Sequence, residues 1–235
     1  QLLKILERLG CGSLDNLAIH GINRPDHLDW ALHGDGKDLL DWVQGEGHAA
    51  QVGFSSHGSQ ALIAAAISSG RFQFCSLHLH LLDPQRLPLA HRALEQGMGV
   101  LAISPADKGG RLQAPSPTLI SDCAPFSPLQ LAYRFLLGQG ISTLSVGAAQ
   151  ASDLELAAAL QSSDSPLSPE EESSLQRLTD HRRERVGADL CGQCQACLPC
   201  PNEVPIPELL RLRNLAIGHD LIPFSQERYN LIGRA

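Results

Sequence analysis

Apolar residues recur along this chain in two alternating rhythms. Leu2, Leu3, Ile5, Leu6 and Leu9 fall at helical spacing, and Leu39, Leu40 and Val43 share one face of a helix expected over residues 35–45. Short apolar runs between such segments read as strands: Leu17-Ala18-Ile19, ending in His20, then residues 51–55, 72–82, 99–103 and 141–146. The Ala-rich stretch 58–69 and residues 87–96, 128–137 and 153–160 return to helix. Gly21 and Pro25 read as loop signals, and a loop rich in Gly, Pro and Ser is expected from Ser104 to about Ser127.

Strand and helix thus alternate about five times, which predicts a parallel sheet with helical crossovers. An open doubly wound sheet and a piece of an eight-stranded (β/α)8 TIM barrel both fit that alternation. The strand at 72–82 favours the barrel. One of its faces carries Cys75, Leu77, Leu79 and Leu81, and the other carries Phe74, Ser76, His78 and His80. Polar residues crowding the C-terminal end of an inward face are what a barrel mouth requires. No Gly-x-Gly-x-x-Gly dinucleotide fingerprint is present. The mouth would gather His20, Ser55, Ser56, His57, His78, His80, Ser104, Lys108 and Gly147. His78 and His80, two residues apart, are a candidate metal pair, and Lys108-Gly109-Gly110 a candidate phosphate loop.

Past Leu160 the composition shifts. Residues 162–165 read as a linker, and Ser168, Pro169 and Glu171 start a charged helix that runs to about Arg185. Pro205-Ile206-Pro207 then leads into an amphipathic helix carrying Leu209, Leu210, Leu212 and Leu215. The expected division is a barrel portion over 1–161 and a small helical, metal-organised domain over 162–235.

Charge and length narrow the function classes. A net charge of −7 over 235 residues leaves no electrostatic footprint for nucleic acid. The longest apolar run, residues 61–67, is too short to cross a bilayer. The opening residues mix charges among their leucines, unlike a secretory signal. Because Gln1 begins inside a helical pattern without a cap, the chain is expected to continue upstream.

Four of the seven cysteines change the picture most. Cys191, Cys194, Cys197 and Cys200 stand two residues apart from one another, and Pro201 follows. Thiols so crowded cannot all pair as disulfides without strained short loops. The spacing instead lets one turning backbone aim several sulfurs at a common centre, as iron–sulfur clusters require. Iron–sulfur sites usually put three residues before the last cysteine, where this chain has two. Zinc is the competing metal, although zinc ribbons usually split their cysteines into two distant pairs. Thiolates kept available to metal point to a reducing compartment, the cytoplasm. Cys11, Cys75 and Cys123 read as core or loop residues.

Four segments resemble the aldo/keto reductases: residues 17–25 around His20-Gly21, Val52-Gly53-Phe54-Ser55-Ser56-His57, Ile103-Ser104-Pro105 with Lys108-Gly109-Gly110, and Ser145-Val146-Gly147. The cysteine run and the Pro-x-Pro-x-Leu-Leu at 205–210 are similar to members of that family with a C-terminal ferredoxin-like iron–sulfur domain. The resemblance implies a (β/α)8 barrel that moves hydride between a nicotinamide cofactor, NAD(P), and the carbonyl of a small-molecule substrate. It makes His20 the catalytic histidine, and Ser55, Ser56, Ser104 and Gly147 cofactor contacts. It makes the four clustered cysteines ligands of a [4Fe–4S] cluster that serves an electron-transfer partner. The family's tyrosine, lysine and aspartate would precede Gln1. Ile103 stands where many members have a ring-stacking tyrosine, and the stretch 147–157 lacks the basic residues that grip the adenosine phosphate of NADPH. A barrel without turnover, acting as an electron-transfer or metal-binding module, is the other reading.

Overall fold

The computed structural model describes residues 1–106, 111–148, 150–160 and 165–232. Its sheet has five strands: β1 (Leu14–Ile19), β2 (Ala49–Ser56), β3 (Phe74–His78), β4 (Gly99–Ile103) and β5 (Thr143–Leu144). They lie in the order β1-β2-β3-β4-β5, and every neighbouring pair is parallel. Spatial order therefore follows chain order throughout. A doubly wound sheet would reverse partway, so the winding is the kind that a barrel uses.

The chain divides into two compact units. The first comprises Gln1–Leu79, Arg86–Ile103 and Gln139–Ser145, and it contains the whole sheet. Its helices are α1 (Leu2–Leu9), α2 (Pro25–His33), α3 (Asp35–Gly45), α4 (Gln60–Ser68) and α5 (Leu87–Glu95). The crossover helices cover one face of the sheet most fully: β2 and β3 are largely buried, β4 alternates buried and half-buried residues, and β1 has none that is buried. Val52, Phe54, Cys75, Leu77, Val100 and Ala102 are accordingly buried on the strands, and Leu40, Val43, Ile63, Ile67, Ala90 and Ala93 on the helices. Each fully buried Leu, Ile or Phe contributes roughly 1.5–3 kcal/mol relative to exposure. Gly53 lets β2 and β3 close up, since a Cβ there would sit 2.6 Å from the Phe74 ring. The segment after Pro25, expected as loop, is helix α2, because a proline at the first helical position forfeits no hydrogen bond. The apolar stripe of α1 is mostly uncovered: Leu6 is buried, while Leu3, Ile5 and Leu9 are exposed.

The second unit comprises His80–Gln85, Ser104–Gly138 and Val146–Ala235. It contains α6 (Pro117–Cys123), α7 (Pro128–Gly138), α8 (Glu155–Leu160), α9 (Pro169–Val186), α10 (Ile206–His219) and α11 (Ile222–Tyr229). Leu112, Leu119, Leu131, Leu178, Leu215 and Phe224 are part of its core. The start of α9 is a full capping box: Glu171 N–H donates to Ser168 Oγ at 3.2 Å, and Ser168 N–H donates to Glu171 Oε2 at 2.7 Å. The same carboxylate receives Arg134 Nε at 2.7 Å, which ties α7 to α9. On α6, Asp122 is buried and accepts from Arg185 at 2.5 and 3.0 Å, with His181 Nδ1 2.7 Å away. Burial alone would raise the Asp122 pKa, but the hydrogen bonds from Arg185 and His181 outweigh it and hold the carboxyl below its ordinary value.

Candidate functional site

The register of the parallel ladder builds the site. Ile19 pairs with Phe54, so one residue further on His20 comes level with Ser55, and Ser55 itself pairs with Ser76. Residues in register on parallel strands point to the same face. His20 Nδ1 lies 3.3 Å from Ser55 Oγ, and the same oxygen accepts from Gly21 N–H at 3.0 Å. One hydroxyl thus fixes both the catalytic candidate and the turn after it. Gly21 has φ of 79°, which a side chain would strain.

His20 is exposed and lines an open pocket with Gly21, Asp26, His27 and Trp30. Arg24 hydrogen-bonds to Asp26 and holds that carboxyl down at about 2, so the pocket wall carries an exposed ion pair at neutral pH. His27 Nδ1 stands 2.9 Å from the Gly21 carbonyl, which anchors the first turn of α2 against the residue following His20.

Ser56 has a different position. It is 1 % exposed, donates to the Ile22 carbonyl at 2.5 Å and accepts from Gly58 N–H at 3.0 Å. Its hydroxyl holds two loops together rather than facing a ligand. At the C-terminal ends of β2 and β3 the register brings His57 beside His78, with ring centroids 4.4 Å apart. Two groups that the sequence reading did not single out brace this edge. Asn23 Oδ1 accepts from His57 N–H at 2.7 Å, and Arg86 donates to the carbonyls of Ser56, His57 and Gly58 at 3.2–3.3 Å. Asn23 stands in an Asn-Arg-Pro turn and so had a local signal, whereas Arg86 had none.

Ser104 directly follows β4 in the chain, in the left-handed region with φ of 58°. That conformation is uncommon for a serine and sharpens the turn out of the strand. Gly147 lies three residues past β5, and a Cβ built on it would meet no atom within 4 Å. The candidate phosphate loop at Lys108 lies outside the described residues. Cys75 and Cys123 are fully buried, and burial pushes both thiols up to about 12, so neither supplies a thiolate.

The cysteine run is held at one end. Asn214 on α10 clamps the Cys191 backbone, accepting from its N–H at 3.3 Å and donating to its carbonyl at 2.8 Å. Gln193 brings its backbone N–H and side-chain amide to 3.4 and 3.5 Å from Cys191 Sγ. Cys194 and Cys197 are exposed and Cys200 half-buried. The donor chemistry suits a cluster of four thiolates, but the conformation does not: among the described residues no three His, Cys, Asp or Glu side chains are grouped to hold a metal ion. Residues 165–232 contain helices and no strand among the described residues, and no helix there or elsewhere among them is long and apolar enough to cross a membrane.

No family model matches the sequence, and no curated protein does. Solved structures do match the fold. An aldo-keto reductase from Bacillus halodurans, in its holo form, superposes with a TM-score of 0.61 at 19 % identity, over 75 % of this chain and 62 % of its own. An aldo/keto reductase from Brucella melitensis gives 0.55 at 18 % identity over 75 % and 67 %. A glycerol dehydrogenase from Gluconobacter oxydans gives 0.54 at 15 % identity over 77 % and 63 %. Over three quarters of the chain, the fold is therefore that of the aldo-keto reductases. The chain spans 62 % of the length of the Bacillus protein.

Proposed function

We propose that this chain is part of an aldo/keto reductase-type oxidoreductase acting on a small carbonyl or alcohol substrate with a nicotinamide cofactor, NAD(P). The observation that carries the reading is His20 at the C-terminal end of β1, set level with Ser55 by the parallel register and 3.3 Å from its hydroxyl. C-terminal strand ends are where enzymes of this architecture keep their chemistry. The cofactor, when bound, supplies the hydride that reduces the carbonyl carbon. His20 then orients the substrate oxygen through a ring nitrogen and helps deliver a proton to it, while Ser55 fixes the imidazole. Positioned proton transfer of this kind typically contributes about 10²–10⁴-fold. Ser55, Ser104 and Gly147 remain the proposed cofactor contacts. The internal hydrogen bonds of Ser56 argue for a supporting role in place of the direct contact expected from the resemblance.

Cys191, Cys194, Cys197 and Cys200 are proposed to ligate a [4Fe–4S] cluster within a helical domain over 162–235, set off from a barrel portion over 1–161. Number, chemistry and spacing of the thiols support this; the segment would have to close around the metal, with Cys191 as its fixed end. The cluster would serve an electron-transfer partner in the reducing cytoplasm. A barrel with no turnover of its own that carries only the metal is the second reading; Tyr133 on α7 is 2 % exposed with its pKa raised by burial, so it supplies no proton in either.

The test is oxidation of NADH and NADPH by a panel of small aldehydes, using the natural protein that carries residues 1–235. Turnover lost on His20→Ala, with the fold retained, is expected. Turnover unchanged by that substitution would overturn the role of His20, and absence of turnover would leave the metal-binding module.

A further inference from the structure

The second unit contains a pocket that the proposed hydride chemistry does not use. It opens between residues 82–85, α9, the start of the cysteine run and α10, and Arg182, His219, Cys191 and Gln193 are among its lining residues. His219 is 1 % exposed, and neither of its ring nitrogens has a hydrogen-bond partner among the described residues. Buried polar groups are nearly always satisfied, so two bare nitrogens on one buried ring call for a partner. Burial, reinforced by Arg182, pushes the imidazole down to about 4, so at neutral pH it offers one N–H donor and one acceptor.

Arg182 stands in the same position. Its Nη1 donates to the Leu82 carbonyl at 3.3 Å, but its Nε is buried without a partner. Among the described residues no carboxylate forms an ion pair with it, whereas Arg185 and Arg211 each have one, and Asp83 acts on it only at longer range. The guanidinium is held in place by packing: a Cβ on Gly218 would come within 2.9 Å of Arg182 Cγ, so α10 lies directly against the arginine stem. The opposite wall is fixed too, because Asn214 clamps the Cys191 backbone and Gln193 donates to the Pro207 carbonyl at 2.9 Å.

We infer that this pocket is a binding site for a small oxyanion of the phosphate or sulfate type, held by the guanidinium of Arg182 and the imidazole N–H of His219. A tetrahedral oxyanion presents several acceptor oxygens to a fork of N–H donors, and a half-buried guanidinium without a carboxylate beside it suits that partner. Asn214, Gln193 and Arg211 also line the pocket but are bonded to Cys191, Pro207 and Glu208, and Asp83 is the one carboxylate among the lining residues, so recognition of an anion falls on Arg182 and His219 against that single opposing charge. Because Cys191 and Gln193 form one wall, an occupant also braces the fixed end of the cysteine run.

Equilibrium dialysis of the protein as isolated against radiolabelled inorganic phosphate tests the site, with ionic strength held constant by chloride. One saturable phosphate per chain is expected, displaced by sulfate and not by chloride. Arg182→Gln and His219→Leu should each remove it, while Arg183→Gln, an equal loss of charge on the neighbouring exposed position, should leave it. Should either variant fail to fold, the competition in the unaltered protein decides alone: binding that does not saturate, or that chloride abolishes, overturns the site. Phosphate retained by a folded Arg182→Gln variant overturns it equally.

Discussion

Glu171→Ala is expected to be among the most damaging single changes in the second unit. The carboxylate has two duties, closing the capping box of α9 and pairing with Arg134, and both side chains of that pair are 8 % exposed. Removing it takes away the carboxylate that receives Arg134 Nε at 2.7 Å, while the carbonyls of Ser165 and Pro166 stay 3.2 Å from the guanidinium. Breaking a buried pair from one side costs about 3–5 kcal/mol, and loss of the cap adds about 1 kcal/mol. For a chain of this size each kcal/mol lowers the midpoint by roughly 2–4 °C, so a fall of about 8–24 °C should follow. Thermal and urea unfolding followed by far-ultraviolet circular dichroism would measure it. The companion double variant Arg134→Met/Glu171→Leu should recover most of the loss, since replacing a whole buried pair by apolar side chains is often neutral or stabilising. If Glu171→Ala melts within about 2 °C of the parent, a loss below roughly 1 kcal/mol, the pair is an ordinary surface contact and the reasoning fails.

Three further outcomes follow from other parts of the chain. Anaerobically purified protein should be brown, contain iron and sulfide, and lose its colour on Cys194→Ala or Cys197→Ala; colourless protein with stoichiometric zinc would replace the cluster by zinc. Gly53→Ala should destabilise by about 1–3 kcal/mol through collision with the Phe74 ring, and Phe74→Leu in the same chain should relieve part of it; an unchanged melting temperature would show that the strands can part without cost. His219 has a folded pKa depressed from 6.5 to about 4, so it contributes stability above pH 6.5 that is lost as the pH falls towards 4. Urea midpoints measured across that window should fall less steeply in His219→Leu than in the parent, and parallel slopes would contradict its burial as a neutral ring.

The strands β2 and β4 and the start of α9 were legible in the sequence because each carries a local signature. Residues 99–103 form a closed apolar run between glycine and serine, and Ser168, Pro169 and Glu171 together specify a capped helix start. Three helices were missed for one shared reason. Pro25 and Pro117 open α2 and α6, and Pro223 is the second residue of α11. In sequence a proline reads as a loop signal, although a helix loses nothing by it in its first turn. The reverse error extended β3 to residue 82: alternation continues past His78, but the partner strand ends at Ile103, opposite His78, and the ladder ends with it. The site was legible in kind but not in geometry. His20 could be marked as a strand-end histidine, yet its contact with Ser55 spans 35 residues and depends on a register that no local pattern encodes. Ser56 was weighed equally with Ser55, and only the fold separates them, one hydroxyl meeting His20 and the other spent between loops.

The central claim, that this fold carries carbonyl reduction at His20, is tested most directly by following the hydride. The natural protein would be incubated with nicotinamide cofactor deuterated at C4 of the dihydropyridine ring and with a small aldehyde, and the alcohol examined by mass spectrometry. The account predicts one deuterium on the former carbonyl carbon, delivered from a single face of the cofactor, and its loss on His20→Ala. Alcohol formed without the label, or labelled equally by the His20→Ala variant, would contradict it.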